Sequence, residues 1–454
     1  MLRNSTCVIA LAALLAACSS PDETIRADLL CEVGSYRTET GGIIDIAPAG
    51  GDRLRWRTID GRVGSLGRGE DGLWSGQLGW SDALHPARID LGNCDDAAIS
   101  VSGIEGLEGQ GQRLAFSSEE VLFEGAGETL AGRLVLPEGD GPVPLVVLVH
   151  GSEQSSSLDY AYLQRLMPAQ GVAAFVYDKR GTGASTGEYT QDFDLLAADA
   201  AAALETALQL GSDRISSIGY LGGSQGGWVA PLAATMSAPD FVIASFGMAE
   251  SPLAEDRDQV QMELREAGYD DDVLARARTV TDATGRLLAT DFREGQDELD
   301  RLRREYGDEA WFQAIRGEIT GEMIQRPLWQ FRIGYFFLDV GTSWGHEPVP
   351  VLRTVEAPML WVLAGNDREA PSDNTRQILT DLQGEGEAID VALYPDTDHG
   401  IIRFRENANG DRVLLGYADG YFRLLAEWSL SQRLAGPYGD AELASRQSAT
   451  IIPE

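Results

Sequence analysis

Residues 221–228, LGGSQGGW, place one serine among four glycines, between the apolar run ISSIGY (215–220) and the small-residue segment VAPLAA that follows. An apolar run that ends at glycines and resumes in small residues predicts a buried strand, a sharp turn and a helix. On so tight a turn Ser224 is forced into a strained backbone, the flanking glycines keep side chains away, and the hydroxyl is presented to a ligand. The five residues Gly222-Gly223-Ser224-Gln225-Gly226 fit the pattern G-x-S-x-G. Alone, the pattern also fits a glycine-rich turn with an incidental serine, so its meaning depends on what the rest of the chain sets beside it.

Outward from this turn the chain alternates between two kinds of segment. PVPLVVLVHG (residues 142–151), GVAAFVYD (171–178), FVIASFG (241–247) and APMLWVLAG (357–365) are continuous apolar runs, the mark of strands buried on both faces of a parallel sheet. QDFDLLAADAAAALETALQL (191–210) has the alanine content and apolar spacing of a helix. This alternation predicts a three-layer α/β sandwich around a mostly parallel sheet. Ahead of it, VLFEGAGETLAGRLVLP predicts two strands joined by a glycine-containing turn, and residues 31–114 read as a small β-rich domain of short strands broken by turn residues. About a hundred charged, helix-favouring residues interrupt the sheet as a helical cap insertion. Within it, Trp329–Phe337 (WQFRIGYFF) holds five aromatics that either pack the insertion against the core or line a pocket. The expected order is a signal peptide at 1–17, the β-rich domain at 18–115, the first half of the core at 116–248, the insertion at 249–345, the second half of the core at 346–436 and a loose tail at 437–454.

A serine alcohol is a poor nucleophile at neutral pH and needs a base to take its proton and an acid to orient that base. Of four histidines, His399 in Asp396-Thr397-Asp398-His399-Gly400 follows the last expected strand, which puts it at the same carboxyl edge of the sheet as Ser224. The acid should follow the preceding strand, where Asn366-Asp367-Arg368-Glu369 makes Asp367 the candidate. Glu369, Asp396 and Asp398 are also available, the last two needing an unusual backbone path. The oxyanion of a tetrahedral intermediate needs backbone N–H donors. Gln225, next to the serine, would supply one, and Ser152, after VVLVHG, the other. His150 either shapes that loop or joins the chemistry. No metal or organic cofactor is expected.

HGS after a buried strand, YDKRGTGASTGEY, GYLGGSQGGW, LAGNDREAP and YPDTDHG together resemble the α/β-hydrolase superfamily. Asp178-Lys179-Arg180-Gly181 with GASTG and a Ser-Gln-Gly-Gly elbow is similar to the bacterial esterase branch related to the prolyl-oligopeptidase and dienelactone-hydrolase groups. The resemblance covers residues 119–435 and implies Ser224 as nucleophile, Asp367 as acid and His399 as base, acting on a carboxylic ester. The alternatives are a peptidase using the same residues and a non-catalytic binding protein on a hydrolase scaffold. The loop EQSSSLDY after HGS and the long insertion depart from many relatives, and both touch the substrate side.

With 71 acidic against 36 basic residues the net charge is −35, which argues against nucleic acid and anionic lipid as partners. Lys179 is the only lysine. The first residues, MLRN followed by CVIALAALLAA, read as a secretory signal too short to remain as a membrane span. Leu15-Ala16-Ala17-Cys18 resembles the lipobox of bacterial lipoproteins, implying cleavage before Cys18, lipid on its sulfur and, with Ser19 next, sorting to the outer membrane facing the periplasm; an ordinary signal peptide is the alternative. With Cys7 leaving with the signal and Cys18 lipidated, only Cys31 and Cys94 remain as thiols, a pair expected to form a disulfide in an oxidising compartment.

Overall fold

The computed structural model describes residues 27–92, 94, 96–332 and 340–446; the expected signal peptide and Cys18 lie outside them. The β-rich segment folds as eight short antiparallel strands, β1 (Gly34–Thr38), β2 (Ile43–Pro48), β3 (Leu54–Thr58), β4 (Val63–Arg68), β5 (Trp74–Gln77), β6 (Leu84–Asp90), β7 (Ala98–Ser102) and β8 (Gly109–Arg113). They form a closed barrel, β8 returning to pair with β1. Closure removes the exposed edges that so short a sheet would otherwise offer. Inside it Ile44, Ile46, Leu54, Trp56 and Trp74 form a core of their own. Cys31 and Cys94 are joined by a disulfide across 63 positions of sequence, tying the segment before β1 to the β6–β7 connection.

Nine strands build the main sheet in the order β20-β16-β15-β14-β13-β11-β12-β10-β9. β9 (Ser117–Glu124), β10 (Thr129–Leu136), β11 (Val143–Val149), β12 (Ala173–Tyr177), β13 (Ile215–Gly223), β14 (Phe241–Ser245), β15 (Met359–Ala364) and β16 (Ile389–Tyr394) precede the edge strand at Glu442–Ala444, which is β20. The six strands from β11 to β16 run parallel, and the antiparallel strands lie at the two edges. The period of two divides each strand between two cores. In β15, Met359, Trp361 and Leu363 face one layer and Leu360, Val362 and Ala364 the other.

The layer on the first side holds α3 (Phe193–Gly211) and α4 (Gly226–Met236), whose entry is marked by Phe193 stacked on Trp228 at 5.3 Å, together with the helix Ser372–Glu385, which contributes Leu379 and Leu382, and the short helix Pro348–Leu352. Asp192 caps α3 by accepting from the Asp194 and Leu195 amides, and Ala197, Ala200, Ala203 and Ala207 form its buried stripe. On the opposite side lie the helix Tyr421–Ser431 and two short helices after β11, α1 (Ser157–Tyr160) and α2 (Leu163–Leu166). The insertion supplies α5 (Pro252–Glu266), α6 (Asp271–Ala289), α7 (Gln296–Tyr306), α8 (Ala310–Ala314) and α9 (Thr320–Gln325) around a separate core that includes Val260, Val280, Leu287 and Trp311. Phe331 belongs to that core, beside Phe292, whereas Trp329 is exposed; residues 333–337 of the aromatic stretch lie outside the described residues.

Two features differ from the sequence reading. GYFRLLAEWSLSQRL reads from the sequence as a final amphipathic helix directly after the histidine loop, but the chain first makes a small sheet of β17 (Thr397–Asp398), β18 (Ile402–Glu406) and β19 (Arg412–Tyr417). That hairpin is bonded to the barrel, where Gly61 O accepts from Tyr417 N at 2.8 Å and Leu414 O from Trp80 N at 3.0 Å. The segment expected as a loose tail contributes Glu442–Ala444 to the sheet through pairing with β16, and Tyr438 is fully buried. Main-chain pairing holds this edge strand; its side chains are all exposed and give no apolar pattern to read.

Candidate active site

Ser224 sits between β13 and α4 with φ of +53°, the left-handed region that costs a non-glycine residue about 1–2 kcal/mol. Close packing enforces the turn. A Cβ on Gly222 would come within 2.0 Å of Gly226 O, and one on Gly226 within 2.6 Å of Val149 O. The chain therefore crosses itself with only backbone at the contact. Ser224 N donates to Ser245 O at 3.0 Å, which fastens the turn to the next strand.

His399 Nε2 lies 3.1 Å from Ser224 Oγ, and its Nδ1 lies 3.0 and 3.2 Å from the two Asp367 carboxylate oxygens. The three residues singled out from the sequence are thus one hydrogen-bonded line along the carboxyl ends of β13, β15 and β16. Asp367 is buried, and Oδ1 accepts from the Glu369 and Ala370 amides at 2.9 and 2.8 Å. The carboxylate is thereby aimed before histidine reaches it. Asp398 takes another part: Oδ1 accepts from the amides of His399 (2.9 Å) and Arg368 (3.1 Å), and Oδ2 pairs with Arg412 of β19 at 2.8 Å. The hairpin docked on the barrel therefore grips the residue next to His399.

Glu369 has a second role that the sequence did not suggest. Its Oε2 lies 3.3 Å from His399 Nε2, on the face that also meets Ser224. Burial alone would lower the His399 pKa, but the Asp367 carboxylate beside it, with Glu369 and then Glu255 of α5, outweighs burial and holds it up to about 9. Half-buried Glu255 is itself pushed well above the usual carboxylate range by burial and by the neighbouring Glu318, Asp367 and Glu369 carboxylates, against the opposing pull of His399. One side of His399 is thus strongly acidic. Among the described residues no group of three or more His, Cys, Asp or Glu side chains is disposed to hold a metal ion.

The other side is shaped by Asp178-Lys179-Arg180, three consecutive residues with three separate tasks. Asp178 accepts from Ser156 Oγ at 2.9 Å and from the Ala184 amide at 2.9 Å, tying the loop after β11 to the loop after β12. Arg180 makes a two-pronged pair with Asp199 of α3 at 2.7 and 2.8 Å. Lys179, buried and with its Nζ 4.6 Å from the centre of the Tyr189 ring, donates to Gly151 O at 2.9 Å. A trans peptide points its C=O and N–H in opposite directions. Holding Gly151 O therefore fixes the direction of the Ser152 N–H, the donor expected for an oxyanion, and Tyr189 Oη holds the next carbonyl, Ser152 O, at 2.6 Å. Gln225, the other expected donor, stands at the start of α4 with its side chain buried.

Of the remaining histidines, His150 bonds Ser157 through Nδ1 and packs edge-on to Tyr177, and burial pushes its pKa down to about 4, so the ring is neutral. His346 packs on Phe193 and His85 accepts from the Ala87 amide, both away from the Ser224 line. The sequence had offered Lys179 as a lone lysine without a task, and nothing in it marked Glu255 or Glu318. Their signal is tertiary, since α5 and the loop before α9 meet the histidine loop only in the folded chain.

The profile of the alpha/beta hydrolase family matches residues 146–411, more than half of the chain. The chain belongs to this family, and the sheet order, elbow and layers described above are its fold. Over 130 residues, 28% of this chain, it is 29% identical to Esterase FrsA of Enterobacter sp. (strain 638). That match spans 31% of the curated relative's length. Among solved structures it is similar to an esterase of Pyrococcus furiosus at 13% identity, covering 63% of this chain and 85% of that one with a TM-score of 0.39. It is also similar to the acylaminoacyl peptidase of Pyrococcus horikoshii at 16% identity, covering 78% and 52% with a TM-score of 0.41.

Proposed function

We propose that the protein is a serine hydrolase of carboxylic esters that acts through an acyl-enzyme on Ser224, exported and anchored in the cell envelope by lipid on Cys18. The observation that carries the catalytic reading is the Ser224–His399–Asp367 line, with its serine on a left-handed turn. In this reading His399 Nε2 takes the Ser224 proton as Oγ bonds to the carbonyl carbon, and Asp367 steadies the imidazolium. The Gln225 and Ser152 amides receive the oxyanion. As the tetrahedral species collapses, the carbon–oxygen bond to the leaving alcohol breaks and His399 returns the proton to that alcohol; water then repeats the sequence and frees the acid. The stretch similar to Esterase FrsA supports an ester over an amide.

The test is labelling by an alkyl fluorophosphonate and turnover of short p-nitrophenyl esters. Both should be present in the native chain and absent from a folded Ser224→Ala variant, and an unlabelled native protein overturns the reading. For the anchor, Cys18→Ser should release the protein from the membrane fraction, and retention there would count against lipidation. One observation bears on a peptidase instead: Glu369 Oε2 lies 3.3 Å from His399 Nε2, on the side where the amine released from an amide would leave. The kcat/KM values for an ester and an amide of the same acyl group decide between the two.

A further inference from the structure

A cavity of about 220 Å³ opens directly on Ser224, and its walls are apolar: Leu148 of β11, Tyr162, Leu163, Leu221 of β13, Phe246 and Tyr421. Among the described residues, none of the 249–345 insertion lines it, and neither does His399. Its floor is fixed, because the Tyr421 hydroxyl is bonded to Ser245 Oγ at 2.9 Å and the Arg57 guanidinium of the barrel lies 4.2 Å over the Tyr162 ring. Its polar rim holds His150 and Ser157, which are bonded to each other, and Glu153; among the described residues no lysine or arginine lines it.

The tetrahedral centre on Ser224 distributes its substituents in space. The leaving group must lie within reach of His399 Nε2, which returns its proton, and hence beside Glu369 at 3.3 Å from that nitrogen. The oxyanion lies toward the amides of Ser152 and Gln225. What remains for the acyl substituent is the side lined by Gly151, Gly223 and Ser224 but not by His399, which is where the cavity lies. An apolar cavity of about 150 Å³ accommodates benzene. The space here takes such a ring with a linker of two or three carbons, and it offers no cation to a carboxylate on the acyl group.

Resting on Ser224 as nucleophile, we propose that this cavity is the acyl pocket and that the substrates are esters of compact, uncharged arylalkanoic acids of the bulk of a phenylacetyl or 3-phenylpropanoyl group. Acetyl leaves the pocket unfilled, and a long fatty acyl chain exceeds it.

The full chain, its active sites counted with an alkyl fluorophosphonate, is assayed on p-nitrophenyl acetate, butyrate, phenylacetate, 3-phenylpropanoate and dodecanoate. One leaving group throughout cancels whatever His399 and the acidic side contribute. The kcat/KM for phenylpropanoate should exceed that for acetate by roughly 10- to 100-fold, the range a filled apolar pocket supplies, and dodecanoate should fall well below phenylpropanoate. Leu163→Trp, which occupies the pocket, should lower the phenylpropanoate-to-acetate ratio at least about tenfold, and Leu163→Ala should move the optimum to a bulkier acyl group. A labelled enzyme with a flat acyl series, or one rising steadily to dodecanoate, overturns the pocket and leaves the hydrolase standing. Absence of labelling overturns both.

Discussion

His399 stands between the carboxylates of Asp367 and Glu369, and in the proposed mechanism its protonation sets the pH dependence. A general base must be neutral, so a pKa held up to about 9 means that kcat/KM rises with pH through the range in which that proton is lost. Replacing Glu369 by Gln removes one of the groups that favour the charged ring, so the rising limb of the kcat/KM profile should shift to lower pH; an unchanged limb would show that Glu369 does not bear on the base. Lys179 acts at one remove, through Gly151 O. Lys179→Met should lower kcat on p-nitrophenyl esters by about tenfold to a hundredfold, less than outright loss of an oxyanion donor costs, with KM within a few fold. Lys179→Arg should restore part of the loss, since a guanidinium can still donate to that carbonyl. A fall in KM-weighted binding alone, with kcat intact, would point to a merely structural lysine. At this scale the sequence was most legible where chemistry is local, as at Ser224 between its glycines. Lys179 was visible as a residue but not as a contact, because its partner lies 28 positions earlier on another loop.

Elements meet in this molecule through a few buried polar links. Asp45 on β2 of the barrel pairs with Arg165 of α2 at 2.7 and 3.1 Å and also accepts from Ser35 Oγ at 3.0 Å. Removing one partner leaves a buried charge without compensation. Asp45→Ala should therefore destabilise the fold by about 3–5 kcal/mol in urea unfolding, a loss typical of such pairs, whereas Arg165→Met with Asp45→Leu should recover much of it. Within the insertion, Asp256 accepts from the Ile319 and Thr320 amides and from Thr320 Oγ1, setting the loop that leads into α9. Alternating and continuous apolar runs made the parallel strands readable. The β18–β19 hairpin was not, because it is held by pairing with a barrel strand connection about 350 residues earlier, and the alternation in IRFRE rests on two half-buried residues, Ile402 and Phe404, too short a run to mark a strand.

On the scale of the whole molecule, a barrel and a three-layer sandwich share the histidine loop through that hairpin, and each has its own core. The barrel is closed by β1 and β8, whose sequence separation hid the closure from any local pattern. Its disulfide constrains the unfolded chain over 63 positions, so the Cys31→Ser, Cys94→Ser variant should lose about 4 kcal/mol on a chain-entropy account. Scanning calorimetry would register this as a lower transition temperature, and no change would mean that the barrel gains nothing from the bond. The cysteine pair was readable once the expected export signal set Cys7 and Cys18 aside, whereas the role of the barrel beside the histidine loop was not, since it follows from where β19 docks. The lone lysine has a further use: grown on 15N-lysine, the protein would carry a single labelled side chain. With the label on the side-chain nitrogen, one resonance would then follow the loop proposed to face the developing negative charge, free of overlap, as an inhibitor is titrated in.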